Sequence, residues 1–192
     1  MKDAKEFIEF DLGAITLAPA LPPASRTARY VGTVTRERSE RVLKELEKLA
    51  KKGSGEIGLF VSSPGGATGA AMSFFDTITQ IMKPELVTIG SGNVDSSGVI
   101  VFLAGARRYL SARTTLLLHP AGRFFGRERY TTKEMAAMLA EDRAKDEHYA
   151  ALLSARSRGA LSAPEALALM EAHTVLSPAR AVSLGLADAV LP

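Results

Sequence analysis

Ser96 and His119 are the residues of this 192-residue chain whose surroundings best suit them to nucleophilic catalysis. Ser96 stands in Gly92-Asn93-Val94-Asp95-Ser96-Ser97-Gly98, just ahead of a long apolar stretch. His119 ends the apolar run Leu116-Leu117-Leu118 and is followed by Pro120. An unassisted serine hydroxyl is a poor nucleophile near neutral pH and needs an adjacent base such as His to take its proton. Residues at the ends of buried elements can be held rigidly enough for that pairing. A third segment, Phe60-Val61-Ser62-Ser63-Pro64-Gly65-Gly66, closes an apolar run with a tight glycine turn. Such a turn lets backbone N–H groups approach a ligand and point at it, as an oxyanion hole requires.

The elements that must position these residues alternate between strand and helix. Arg36 to Lys52 carries Val42, Leu43, Leu46, Leu49 and Ala50 on one face with Glu and Lys opposite, the pattern of an amphipathic helix. Ile57 to Ser62 and Leu86 to Gly90 are short apolar strands. Gly69 to Met82 places Ala71, Phe74, Phe75, Ile78 and Ile81 at helical spacing, which predicts a core-facing helix. Ser96 to Ala106 is nearly all apolar and predicts a buried helix whose N-terminus presents Ser96, where free N–H groups and the helix dipole favour negative charge. Asp95, beside it, is expected to point into solvent. Thr114 to His119 reads as a further strand and Thr131 to Arg158 as a long helix. Ser162 and Glu165 have the spacing of a capping box, while Ser177-Pro178 opens the last helix and Gly185 ends it. The alternation implies a layered α/β core.

As a set, these segments resemble the proteolytic subunit of the Clp protease (ClpP). The match rests on Ser63-Pro64-Gly65-Gly66, then Gly92-x-x-x-Ser96-x-Gly98, then an apolar strand ending in His119-Pro120. It extends to Tyr30-Val31-Gly32-Thr33-Val34, Ala104-Gly105-Ala106-Arg107-Arg108-Tyr109 and Leu176-Ser177-Pro178-Ala179-Arg180-Ala181, covering roughly residues 28 to 191. The resemblance implies a ClpP/crotonase-like layered core of repeated β-β-α units with a projecting handle helix. Residues 1–27 would be an N-terminal arm or linker, and 28–192 the peptidase domain with its handle at about 122–158. It also implies Ser96 as nucleophile, His119 as general base, and the N–H groups of Gly66 and Ser97 as the oxyanion hole. Gly122, Arg123, Phe124 and Phe125 fall in a segment resembling the handle strand, along which a substrate peptide can lie by strand addition.

The family's third catalytic member is an Asp, and the matching position holds His173. That Asp normally holds the base in its tautomer and stabilises the imidazolium. Three arrangements stay open: His173 as the third member, as in the Ser-His-His triad of herpesvirus proteases; Glu171 or another carboxylate in its place; or a site without activity in a ring subunit that pairs with an active relative. The position before it, commonly an Arg pairing across two stacked rings, holds Ala172. A crotonase-type, acyl-CoA-handling enzyme is a further alternative, against which the Ser–His pair and the chain's shortness argue.

Composition narrows the rest. The chain has no cysteine, which excludes a disulfide scaffold, a thiolate nucleophile and a Cys-bound metal. His119, His148 and His173 show no metal-ligand spacing, so neither a metal nor a cofactor is expected. The net charge of +3 comes from Lys and Arg interspersed with Glu, a solvated surface rather than a nucleic-acid footprint. No apolar run approaches a membrane span, and residues 1 to 10 do not form a signal peptide; the expected location is the cytoplasm. The resemblance implies a homo-oligomer, a heptameric ring or two stacked rings, acting on unfolded polypeptides or peptides. No Gly-x-x-x-x-Gly-Lys-[Ser/Thr] loop is present, so ATP-driven unfolding would come from a separate AAA+ unfoldase ATPase.

Overall fold

The computed structural model describes residues 19–123 and 125–192. Residues 1–18 of the expected arm lie outside that range. After a 3₁₀ turn at Ala24–Arg26, five strands form one parallel sheet: β1 (Thr27–Val31), β2 (Ile57–Ser63), β3 (Leu86–Val94), β4 (Arg107–Ser111) and, at the far edge, β7 (Ala189–Leu191). Two short strands, β5 (Leu116–Leu117) and β6 (Val175–Leu176), pair antiparallel as a second sheet. The helices are α1 (Arg36–Lys51), α2 (Thr68–Asp76), α3 (Ser97–Phe102), α4 (Thr132–Arg156), α5 (Ala163–Glu171) and α6 (Pro178–Ser183).

Local chemistry explains most of these boundaries. The Thr35 hydroxyl accepts the Arg38 N–H to open α1, and Val42, Leu46 and Leu49 then recur on its buried face. Thr131 with Glu134 and Ser162 with Glu165 form complete capping boxes at the starts of α4 and α5. Ser177 caps α6 ahead of Pro178. β2 along nearly its whole length, and β3 from Leu86 to Gly90, are mostly buried because helices and neighbouring strands cover the sheet.

One expected core residue is not in the core. Thr77–Met82 winds as a π-helix, which adds residues to each turn and rotates the later positions away from the α-helical face. Ile81 is consequently 76% exposed, and Met82 packs against the core instead.

Two features of the fold fix the end of the sheet that carries Ser96. The β2–β3 register runs regularly to Val61–Gly90 and then shifts, so that Ser63 pairs with Val94. That irregularity brings the end of β3 beside the Pro64-Gly65-Gly66 turn, where the Asp95 N–H donates to the Ser63 carbonyl at 2.9 Å. At the other end of the long helix, Arg108 on β4 is 1% exposed and donates to the carbonyls of Arg156 (2.9 Å) and Gly185 (3.2 Å). Burial and the nearby Arg156 guanidinium push the Arg108 pKa down to about 10. The first bond ties the C-terminal end of α4 to β4, and the second ties in the turn after α6.

Candidate active site

Ser96 sits at the tip of a sharp strand-to-helix turn. It is the N-cap of α3 and adopts φ 54°, ψ −129°, a conformation that non-glycine residues seldom take. Three contacts hold it there. Its N–H donates to the Leu117 carbonyl at 2.7 Å. Its carbonyl accepts the Tyr149 hydroxyl at 2.9 Å. The Val99 N–H closes back on the same carbonyl at 2.9 Å. Tyr149 is buried, and burial pushes its hydroxyl well above the usual phenol range, so it remains a proton donor.

The glycine turn lies directly against Ser96. A Cβ added to Gly65 (φ 93°) would stand 2.6 Å from Ser96 Cβ and 3.1 Å from Ser96 Oγ, so only glycine fits. Gly66 (φ 148°) is bridged to Val34, and an added Cβ would stand 2.3 Å from the Val34 carbonyl oxygen. That bridge uses the Val34 N–H on the Gly65 carbonyl and the Ala67 N–H on the Val34 carbonyl. The Gly66 N–H is left without a partner among the described residues, as is the N–H of Ser97 in the first turn of α3. Both residues border the cleft that contains Ser96.

That cleft has a volume of about 430 Å³ and is bordered on its other side by His119, Arg123, Asp146 and Tyr149. The structure therefore brings Ser96, Ser97, Gly66, His119, Gly122 and Arg123 to one cavity. Ser96 makes no side-chain hydrogen bond among the described residues. His119 Nδ1 lies 2.7 Å from the Pro120 carbonyl oxygen. A carbonyl can only accept, so this contact places the imidazole proton on Nδ1 and leaves the Nε2 lone pair free.

His173 reaches His119 by stacking. The ring centroids are 5.8 Å apart and the planes 12° from parallel. Stacked rings do not direct an in-plane N–H at one another. His173 is exposed and has φ 51°, where its N–H donates to the Met170 carbonyl and the Thr174 N–H to the Leu169 carbonyl. It thus occupies the left-handed position that ends α5, a place where glycine is the usual residue.

Asp95 does not point into solvent. Its Oδ1 accepts the Leu117 N–H at 3.0 Å and its Oδ2 the Asn93 side-chain amide at 2.8 Å. The carboxylate therefore ties the end of β3 to β5.

The segment from His119 to Thr131 forms no strand among its described residues, which differs from the expected handle strand. It is instead tied to α4. Arg123 Nε donates to Asp142 at 2.6 Å and its Nη2 to Glu141 at 2.5 Å, and Lys145 completes the group on Glu141. The Lys145 and Arg123 cations hold the Glu141 carboxyl down to about 2. Phe125 is 63% exposed and meets Tyr130 edge-on, with centroids 5.7 Å apart. Phe124 lies outside the described residues.

Sequence reasoning missed Tyr149 and Asp146 as site residues. The available signal was the spacing of Asp142, Asp146 and Tyr149, which is that of one helical face. Among the described residues there is no group of three or more His, Asp or Glu that could hold a metal ion, and no helix is long and apolar enough to cross a membrane.

Comparison with known proteins places this geometry in context. The family model described as Clp protease matches residues 23–192. The chain is 38% identical over 101 residues to the ATP-dependent Clp protease proteolytic subunit 3 of Rhizobium meliloti, a match covering 51% of each chain. It is 35% identical over 100 residues to the ATP-dependent Clp protease proteolytic subunit 2 of Pseudomonas aeruginosa, covering 50% of this chain and 49% of that one. It is 33% identical over 102 residues to the proteolytic subunit 1 of Leifsonia xyli, covering 50% and 51%. The chain spans about half the length of the curated relatives it matches.

Proposed function

The chain belongs to the Clp protease family, and from that premise we propose that it is a serine peptidase that hydrolyses peptide bonds through Ser96 and His119. The observation that carries the proposal is the shared cleft. It holds a serine on a strained turn, an imidazole protonated on Nδ1, and two backbone N–H groups that have no partner among the described residues.

The mechanism follows from those groups. Ser96 Oγ attacks the scissile carbonyl carbon, the Oγ–C bond forms, and the hydroxyl proton passes to His119 Nε2. The carbonyl oxygen becomes an oxyanion facing the N–H groups of Gly66 and Ser97, which need no reorganisation to receive it. Collapse breaks the C–N bond, and the amine leaves with the proton from Nε2. Water then repeats the sequence on the acyl-enzyme, which releases the carboxylate product and restores Ser96.

Substrates of this reading are unfolded polypeptides or short peptides, entering along the segment that contains Gly122 and Arg123. The assembly is a homo-oligomeric ring working with a separate AAA+ unfoldase ATPase. The exposed apolar residues Met135 (49%) and Leu139 (52%) on α4 support self-association, since an uncovered apolar helix face gains from burial against a second copy. Cleavage of a fluorogenic peptide by wild type but not by Ser96→Ala tests the activity. Equal cleavage by both proteins would refute it, and a monomeric mass in sedimentation at micromolar protein would refute the ring.

A further inference from the structure

The peptide group between Pro120 and Ala121 has both of its polar ends engaged. Its carbonyl accepts His119 Nδ1–H at 2.7 Å, and its N–H donates to Asp146 Oδ1 at 2.6 Å. Asp146 is half-buried, lines the same cleft as Ser96 and His119, and projects from α4, an element remote in sequence from the position where a third catalytic member is expected. We infer that Asp146 is the positioning carboxylate for His119, acting through the Pro120–Ala121 peptide rather than by direct contact, so that one amide group links imidazole and carboxylate. This inference rests on the reading of Ser96 and His119 as nucleophile and base.

The physical argument has two parts. A carboxylate bonded to the N–H of an amide polarises that amide, which makes its carbonyl a stronger acceptor; hydrogen bonds in a chain reinforce one another in a low-dielectric site. The Pro120 carbonyl therefore holds the Nδ1-protonated tautomer more firmly, and Nε2 remains available to Ser96. The negative charge also stands near the imidazolium that forms when His119 takes the serine proton, and favours it. These are the two services an Asp normally performs for a catalytic histidine. His173 supplies neither, because it meets the ring face to face.

Charged groups on three elements act on Asp146. Asp142 stands on α4 itself, His119 on the segment after β5, and Glu171 at the end of α5. Burial raises the Asp146 pKa, opposed by the Ala121 N–H and by His119. Around His119 stand Asp146 and, on the turn after α5, His173.

The test uses the rate of fluorophosphonate labelling against pH in the full chain, comparing wild type, Asp146→Asn and Asp146→Ala. Asn keeps an oxygen that can accept the Ala121 N–H but removes the charge, so a purely structural role predicts no change in Asp146→Asn. The inference predicts that labelling by Asp146→Asn is slower by roughly tenfold and that the acid limb of its profile moves to lower pH. A second readout does not require activity: the His119 ring, followed by ¹⁵N NMR, should carry its proton on Nδ1 in wild type and titrate at lower pH in Asp146→Asn. Asp146→Asn matching wild type in both rate profile and ring titration would overturn the inference while leaving the serine reading intact. A wild type that takes no label would defeat the serine reading. In that case the ring titration alone decides the inference, a downward shift supporting the link and no shift overturning it.

Discussion

The carboxylate of Asp95 accepts the backbone N–H of Leu117 at 3.0 Å, so the residue preceding Ser96 clamps the strand that leads to His119. Ser96 reinforces the link from its own side, its N–H donating to the Leu117 carbonyl at 2.7 Å. Ser96 and His119 thus follow adjacent ends of β3 and β5, held together by two hydrogen bonds to one residue, one from the Asp95 carboxylate and one from the Ser96 backbone.

Asp95→Ala removes that acceptor and leaves the Leu117 N–H unpaired. The expected loss is about 1–2 kcal/mol, read as a fall in Tm of roughly 2–8 °C for a chain of this size. Asp95→Asn retains an oxygen and should lose less than half as much. An unchanged Tm in Asp95→Ala, measured by calorimetry, would contradict the clamp.

Gly65→Ala introduces a Cβ 2.6 Å from Ser96 Cβ at a residue with φ 93°. The turn and the serine must move apart, and a displacement near 1 Å costs on the order of a hundredfold in rate. Fluorophosphonate labelling should fall by that amount while the far-UV circular dichroism stays native. Wild-type labelling by this variant would mean that Ser96 is not held by the turn.

His173→Gly relieves a left-handed backbone position. The strain removed, about 1–2 kcal/mol, is partly offset by the greater freedom of glycine in the unfolded chain, about 0.4–1 kcal/mol. Tm should therefore rise slightly. Labelling should stay within roughly threefold of wild type, because the His119 tautomer is held by the Pro120 carbonyl. A loss of orders of magnitude would assign the third catalytic role to His173.

The capping box of α4 gives a pH dependence. The Thr131 N–H and hydroxyl both bond Glu134, which favours its ionised form and holds its carboxyl below the ordinary value of 4.5. A depressed carboxyl stabilises the folded state above the unfolded value, and that stabilisation is lost as pH falls through the lower folded value. Amide hydrogens in the first turn of α4, corrected for intrinsic rates, should be protected at pH 6 and exchange faster below pH 4.5. Equal protection across that range would refute the cap's contribution.

Much of this arrangement was legible in the sequence because apolar runs and turn residues act locally. The serine turn, the glycine turn and the capping box at Ser162 follow from residue types a few positions apart. The misses involve contacts between distant segments. Asp95 reads as a surface carboxylate until β5 is placed beside it, since its partner is a backbone N–H that no side-chain pattern reveals. Asp146 lies on a helix dense with charges, and its link to His119 runs through a peptide group. Ile81 fits an α-helical face and leaves it only because the helix widens into a π-helix there. The Gly122–Phe125 segment carries strand-like residues, but Arg123 is drawn to Asp142 and Glu141 on α4, and the segment forms no strand among its described residues.

The central claim is that Ser96 is an activated nucleophile. Intact-mass measurement after treatment with a fluorophosphonate tests it most directly. The account predicts one adduct per chain, mapped to the peptide containing Ser96 and absent from a folded Ser96→Ala variant. A folded, oligomeric wild type that gains no mass, or a Ser96→Ala variant that gains it as fast, would contradict the account.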